Sequence, residues 1–344
     1  MRDVLKPFGI VNPRAEGDAM KLPRRRFMYL AGIAAALSTI SHVAKAQAYP
    51  SRPVRIIVGF AAGGGYDIVA RLMGQWLSER LGQPFVIENR PGAGTNIATQ
   101  AVVNAPPDGD TLLLVGSTNA INASFYRKLN FNFIRDIAPV SSITRQPQVM
   151  LTNTSFAAQT IPEIIDYAKA NPGQVNFSSP GIGSISHLAG ELFKMMAGVT
   201  LVHVPFSGNS PSLTALLGGQ IDVSFASLPS SIEFIRTGKL RGLGVTSAMR
   251  SEVVQDIPTI GESVPGYEVS AWYGVGAPKG TPAEIIDKLN KEINAGLADP
   301  KLKARMADLG GTVFALSPAD FGKFIADETE KWSKVIRAIN IKAG

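Results

Sequence analysis

The chain of 344 residues is long enough for two domains of ordinary size, and 45% hydrophobic with 18% charged residues is the balance of a folded α/β protein, which excludes a disordered chain. It has no cysteine, and so no disulfide, thiolate zinc site, iron–sulfur cluster or cysteine nucleophile. Its formal charge is +7, but residues 1–46 hold eight basic and three acidic residues, so +5 of that charge sits at the N-terminus.

Residues 24–46 read RRRFMYLAGIAAALSTISHVAKA, a basic cluster, a short apolar run and an A-x-A site at Ala44-Lys45-Ala46. That is the pattern of a secretory signal peptide, whose apolar run falls short of the ~20 residues of a membrane span. The mature chain is expected to begin at Gln47 or Tyr49. Arg24 and Arg25 also fit a twin-arginine signal, although Pro23 stands where a hydroxyl residue is usual, so both export routes stay open. Residues 1–19 do not resemble a leader, and Met20 is the expected start. Beyond residue 46 no Lys/Arg cluster with interleaved aromatics occurs, so nucleic acid is not an expected partner.

RIIVGF (55–60) reads as a strand, followed by a glycine turn and a helix whose Ile68, Val69, Leu72, Met73, Trp76, Leu77 and Leu81 recur at helical spacing up to Gly82. FVIE (85–88), a short helix ending at Val103 and TLLLVG (111–116) continue the alternation. This β-α-β-α-β order predicts a parallel sheet covered on both faces. A second alternating block follows Met150. Its helix from Ile161 opens with Thr160 and Glu163 in capping-box spacing, and its strands are 175–179, 201–206, 221–226 and 240–245. The C-terminal third is helical, with starts expected at Thr281, Asp299 and Ser317 and one short strand near 312–315; these helices need the first sheet to pack on. The reading is two α/β lobes, 49–148 with 276–344 and 149–275, with the chain crossing between them near 146–153 and 271–277.

Two loops carry candidate chemistry. Phe60, Ala61, Gly63, Gly64, Gly65, Tyr66 and Asp67 lie between a strand end and a helix start, where free backbone N–H groups and the helix dipole favour an anion; a tight turn capped by Asp67 is the alternative. Gly181, Gly183, Ser184 and His187 repeat the arrangement in the other lobe. Ser184 offers a hydroxyl, His187 suits a structural hydrogen bonder as well as a ligand contact, and His203 in its apolar strand reads as core. Rival motifs fit poorly. A Walker loop needs Lys where Gly65 stands, and a dinucleotide fingerprint needs a third glycine where Ile68 stands, although Glu88 is placed like a ribose-binding acid. There is no G-x-S-x-G elbow, and His187 and His203 are the only histidines after the leader, so catalysis has little to stand on and a metal site would have to be carboxylate-rich.

RPVRIIVGFAAGGGYDIVARL, IENRPGAGTNIATQAV, PDGDTLLL, SSPGIGSISHLAGELF, VPFSGNSPSLTALLGGQIDVSF and LRGLGVTS, in this order, resemble the substrate-binding proteins of tripartite tricarboxylate transporters, the Bug family, over residues 49–340. The resemblance implies a periplasmic, non-catalytic, cofactor-free protein of type II binding-protein fold, with two Rossmann-like lobes joined by two crossovers. It would hold a small carboxylate between the lobes and deliver it to a two-component membrane permease; a monomer is expected. Carried over by motif, Gly63 through Asp67, Ser117, Thr118, Asn119, Gly181 through His187, Phe206, Ser207, Ala226 and Ser227 would bind the ligand. Gly59 and Ala62 stand where many relatives have proline, and Tyr66 is larger than usual, so the ligand's shape does not carry over. An exported nucleotide- or NAD-dependent enzyme and a carboxylate sensor for a membrane signalling protein are the competing readings.

Overall fold

The computed structural model describes residues 49–126, 128–338 and 341; the expected leader, its cleavage site and Met20 lie outside the described residues. β1 (Val54–Val58) pairs in parallel with β2 (Phe85–Asn89) on one side and β3 (Thr111–Gly116) on the other. α1 (Gly65–Leu81) leaves the end of β1 and buries Val69, Met73 and Leu77 against the sheet, each worth about 1.5–3 kcal/mol of apolar burial. It stops at Gly82, whose φ of 72° is left-handed and whose N–H reaches the Ser78 carbonyl at 3.1 Å. α2 (Asn96–Val103) precedes β3; α3 (Ser117–Phe125) and a single turn, α4 (Phe133–Asp136), follow it.

The second block has α5 (Ile161–Ala170), β5 (Asn176–Ser179), α6 (Ile185–Ala197), β6 (Val202–Pro205), α7 (Asn209–Leu217), β7 (Val223–Ser227), α8 (Leu228–Arg236) and β8 (Leu240–Val245). β5 lies between β6 and β7, parallel to both. At the start of α5, Thr160 Oγ1 accepts from Glu163 N at 3.3 Å as the spacing predicts, but the Glu163 carboxylate takes the N–H of Gln159 in place of that of Thr160.

Between the two blocks the expectation of parallel sheets fails. β4 (Ile137–Asn153) is one strand of 17 residues, and β9 (Ser270–Pro278) runs antiparallel to it and to β3. From Ile137 to Pro147, β4 pairs with β9 in the first sheet; from Gln148 onward it pairs with β7 and β8 in the second. Serines, threonines and glutamines interrupt the apolar pattern of β4 and hide the strand. In the fold they are buried, and several bond to carbonyls: Thr144 Oγ1 donates to Thr312 O at 3.0 Å and Thr152 Oγ1 to Asp222 O at 2.8 Å. Residues 271–277, read from the sequence as a crossing, lie within β9 in the first sheet. The two passages of chain between sheets meet at Thr246, whose Oγ1 accepts from Gln148 N and whose carbonyl accepts from Val269 N, both at 2.8 Å.

α9 (Ala283–Ala298), α10 (Pro300–Asp308) and α11 (Pro318–Ala338) cover the first sheet as expected, with β10 (Thr312–Val313) added to the edge of β4. Leu289, Ile293, Phe321 and Trp332 are buried there, and Asn290 Nδ2 donates to Val140 O at 2.8 Å. Asp299 and Ser317 act as helix caps. Thr281 does not: its hydroxyl turns back to Pro278 O at 2.8 Å, and Pro282 holds the cap position.

Candidate functional site

In a parallel βα unit the helix starts at the carboxyl end of its strand, which is where open α/β sheets form ligand crevices. Five such junctions converge here. The first turns of α1 and α3 approach from the first sheet, those of α6, α7 and α8 from the second, and they enclose a cavity between the two sheets. Its wall holds Gly64, Gly65, Tyr66 and Thr118 on one side and Ser184, Ile185, Ser186, Asn209 and Ser227 on the other, with Phe60, Gln148, Pro180 and Tyr273 completing it. The open volume is about 20 Å³, room for about one water molecule.

The two glycine loops are built alike. Gly63 and Gly183 each take a left-handed φ, 80° and 78°. Each N–H is held by the side chain four residues on: Asp67 Oδ2 at 2.9 Å and His187 Nδ1 at 3.2 Å. Asp67 also receives Arg71 Nε at 2.9 Å. Burial would raise its carboxyl, but the hydrogen bonds from Arg71, Gly63 and Asn89 outweigh that and leave it below the ordinary range. Arg71 is thereby held outside the cavity. His187 stacks on His203 with ring centroids 4.1 Å apart, and His203 Nε2 meets Ser179 Oγ at 2.7 Å. Burial pulls His187 down to about 3, helped by His203 and Lys194, and His203 down to about 4, helped by Lys194, so both rings are neutral at pH 7. His203 is half-buried and belongs to the frame of the second loop more than to the core.

Of the residues singled out in the sequence, Phe60, Gly64, Gly65, Tyr66, Thr118, Ser184 and Ser227 line this cavity. Ser184 Oγ accepts from His187 N at 3.1 Å and so caps α6, leaving its proton free to donate. Tyr66 packs edge-on against Tyr273, and its hydroxyl, pushed up to about 12 mainly by burial, accepts from Thr118 N at 3.3 Å. Gly63, Asp67, Gly183 and His187 shape the loops from behind. Ser117 Oγ accepts from Trp272 N, and the Asn119 amide is spent on Gly116, Thr95 and Thr99, so these two fix α3 against its neighbours. Ala61 N donates across the cleft to Ser207 O at 3.3 Å; Ala226 is buried in β7; Gly181, Phe206 and Ser207 line a neighbouring cavity. Glu88, the acid a ribose site would require, pairs with Arg90 and is absent from the cavity wall.

Gln148, Asn209 and Tyr273 were missed by the sequence reading. Gln148 and Tyr273 come from β4 and β9, where no loop signal marks them, and Asn209 is flagged only by Gly208 ahead of a helix start. Three buried polar atoms on the cavity wall have no partner within the protein: Thr118 Oγ1, Gln148 Nε2 and Asn209 Oδ1. The other ends of the two amides are engaged, Gln148 Oε1 by Ser186 Oγ at 2.7 Å and Asn209 Nδ2 with Ser227 Oγ at 3.0 Å. Buried polar groups left in this way call for a partner.

No lining residue carries a formal charge, yet the positive ends of five helices face the same small space. At about 0.3 to 1 kcal/mol each, five dipoles supply about 1.5 to 5 kcal/mol toward an anion. Thr118 and Gln148 add about 1.5 to 3 kcal/mol apiece through hydrogen bonds to a charged acceptor. Together these give about 4.5 to 11 kcal/mol of attraction toward an anion without a guanidinium, before the cost of association. Among the described residues no group of three or more His, Cys, Asp or Glu is placed to hold a metal ion.

A family model described as the tripartite tricarboxylate transporter family receptor matches residues 69–341. Protein BugT of Bordetella pertussis is 36% identical over 320 residues, covering 92% of this chain and 98% of BugT. The structure of Rpa4515 from Rhodopseudomonas palustris with adipate is similar at a TM-score of 0.83 and 35% identity, covering 86% of this chain and 99% of that one. MatC from the same organism, with bound malate, gives a TM-score of 0.80 at 33% identity over 84% of this chain and all of its own.

Proposed function

Since the chain belongs to the tripartite tricarboxylate transporter receptor family, we propose that it captures a small carboxylate in the cavity between its sheets and passes it to a membrane permease of two integral components. It is a solute-binding receptor of type II fold and not an enzyme. The observation that carries the ligand class is the uncharged cavity ringed by five helix N-termini, with the unpartnered donors of Thr118 and Gln148 on its wall. Adipate and malate in the two structural relatives support the same reading.

The lobes follow the sheets in this reading: 49–147 with 270–341 form one and 148–269 the other, close to the division expected from the sequence, with ligand shifting an open–closed equilibrium between them. The receptor works as a monomer in the periplasm after removal of its leader at the A-x-A site. N-terminal sequencing of secreted material should then begin at Gln47 or Tyr49; a soluble extracellular form retaining Arg24 to Arg26 contradicts this. The test of ligand class is thermal unfolding. A carboxylate at 100 times its dissociation constant stabilises the folded state by about 2.7 kcal/mol, and its amide should give no comparable shift. Equal shifts from acid and amide refute the anion reading.

A further inference from the structure

A second cavity of about 260 Å³ adjoins the first, and Phe60 and Pro180 belong to the wall of both. One flank is the turn at Ala93 and Gly94, which runs with Thr95 through three left-handed φ values of 46°, 57° and 76°. Asn119 Nδ2 holds that turn through Thr95 Oγ1, and Asn122 Nδ2 donates to the Gly94 carbonyl. Tyr126, Ile182 and Phe206 supply the larger side chains of the other flanks. No charged residue lines this cavity among the described residues. The two compartments therefore differ in kind: a tight one where helix N-termini meet, and a roomier one walled largely by aromatic, aliphatic and proline carbon.

Resting on the carboxylate reading above, we propose that the preferred ligand is an amphipathic monocarboxylate. Its anionic head occupies the helix-ringed cavity, and its uncharged alkyl or aryl body passes the Phe60–Pro180 wall into the second compartment. Apolar carbon gains by leaving water for such a lining. A second carboxylate placed there would meet no cation among the described lining residues to offset its partial desolvation.

Calorimetric titration of the ligand-stripped full chain with hexanoate, adipate, 3-phenylpropanoate and 3-phenylpropanamide tests this. Hexanoate and adipate share a chain length and differ in the terminal carboxylate. Hexanoate and 3-phenylpropanoate are expected to bind at least tenfold more tightly than adipate, and the amide at least tenfold more weakly than its acid. Adipate binding as tightly as hexanoate overturns the monocarboxylate assignment and leaves the carboxylate reading standing. An amide that matches its acid, or failure of all three acids to bind, overturns both. Ile182→Lys, at a rim position 39% exposed, places an ammonium at the second compartment and should shift the ranking tenfold toward adipate; an unchanged ranking refutes the placement of the ligand's body there.

Discussion

Thr118 is fully buried, and its hydroxyl has no partner inside the protein. Thr118→Val keeps the side-chain shape and removes only that hydroxyl, so folding stability should hold or rise, while affinity for a carboxylate should fall about tenfold or more, the worth of one hydrogen bond to a charged acceptor. Urea unfolding and titration of the same variant separate the two effects; unchanged affinity would remove Thr118 from the site. Gln148→Glu should abolish acid binding altogether, because it sets a second negative charge against the ligand where Nε2 now stands. Ser184 behaves differently. As the α6 cap it contributes to folding, so Ser184→Ala should cost about 0.5 to 2 kcal/mol of stability in addition to weakening the ligand. Its role as a ligand donor and its role as a cap are spelled identically in sequence, a hydroxyl ahead of a helix, and only the bond from His187 N tells them apart.

At the scale of elements, the glycine loops show what a linear reading can reach. Strand, glycines and helix follow one another within a few residues, so the loops at Gly63 and Gly183 are legible, as are parallel β1–β3 and β5–β7. β4 and β9 are not, because their polar groups are satisfied by partners far away in the chain, such as Ser117 Oγ for Trp272 N, 155 residues apart, and Thr246 Oγ1 for Gln148 N, 98 apart. The cavity residues those strands contribute stayed hidden with them. A Cβ on Gly65 would lie 2.7 Å from the Tyr273 hydroxyl in its own sheet and 3.0 Å from the Ser227 side chain across the cleft. Gly65→Ala should therefore crowd the cavity wall from both sides: carboxylate affinity should fall at least tenfold in titration, and an unchanged affinity would show that the wall yields to a methyl group. The stacked histidines add a pH dependence. Both have folded pKa values depressed below the ~6.5 of an exposed imidazole, so the unfolded chain takes up protons that the folded chain refuses. Stability should be fully present above pH ~6.5 and fall as the pH drops toward 4, by at most about 1.4 kcal/mol per unit for each ring. Urea midpoints at pH 7, 5.5 and 4.5 would record the slope, and His187→Gln should make it shallower.

For the whole molecule, the 17-residue strand shared by both sheets sets how the halves can move. In the opening motion proposed above, rotation about the point where β4 passes from one sheet to the other, Pro147 to Gln148, displaces each atom in proportion to its distance from that axis. In that motion Gln148, Thr246 and Val269, where the chain passes between the sheets, would sit at the fulcrum, while Thr118 and Asn209 would ride on arms that swing apart. A ligand arriving at the open molecule accordingly finds the Gln148 amide already in place, and gathers contacts from both arms only as they swing shut. Gln148→Ala should then slow capture, whereas Thr118→Val should chiefly quicken escape. Stopped-flow association and dissociation rates would resolve this; a dissociation-only defect at Gln148 would move the fulcrum elsewhere. A strand that serves as an axle makes docking sequential, with the first handhold at the point that moves least.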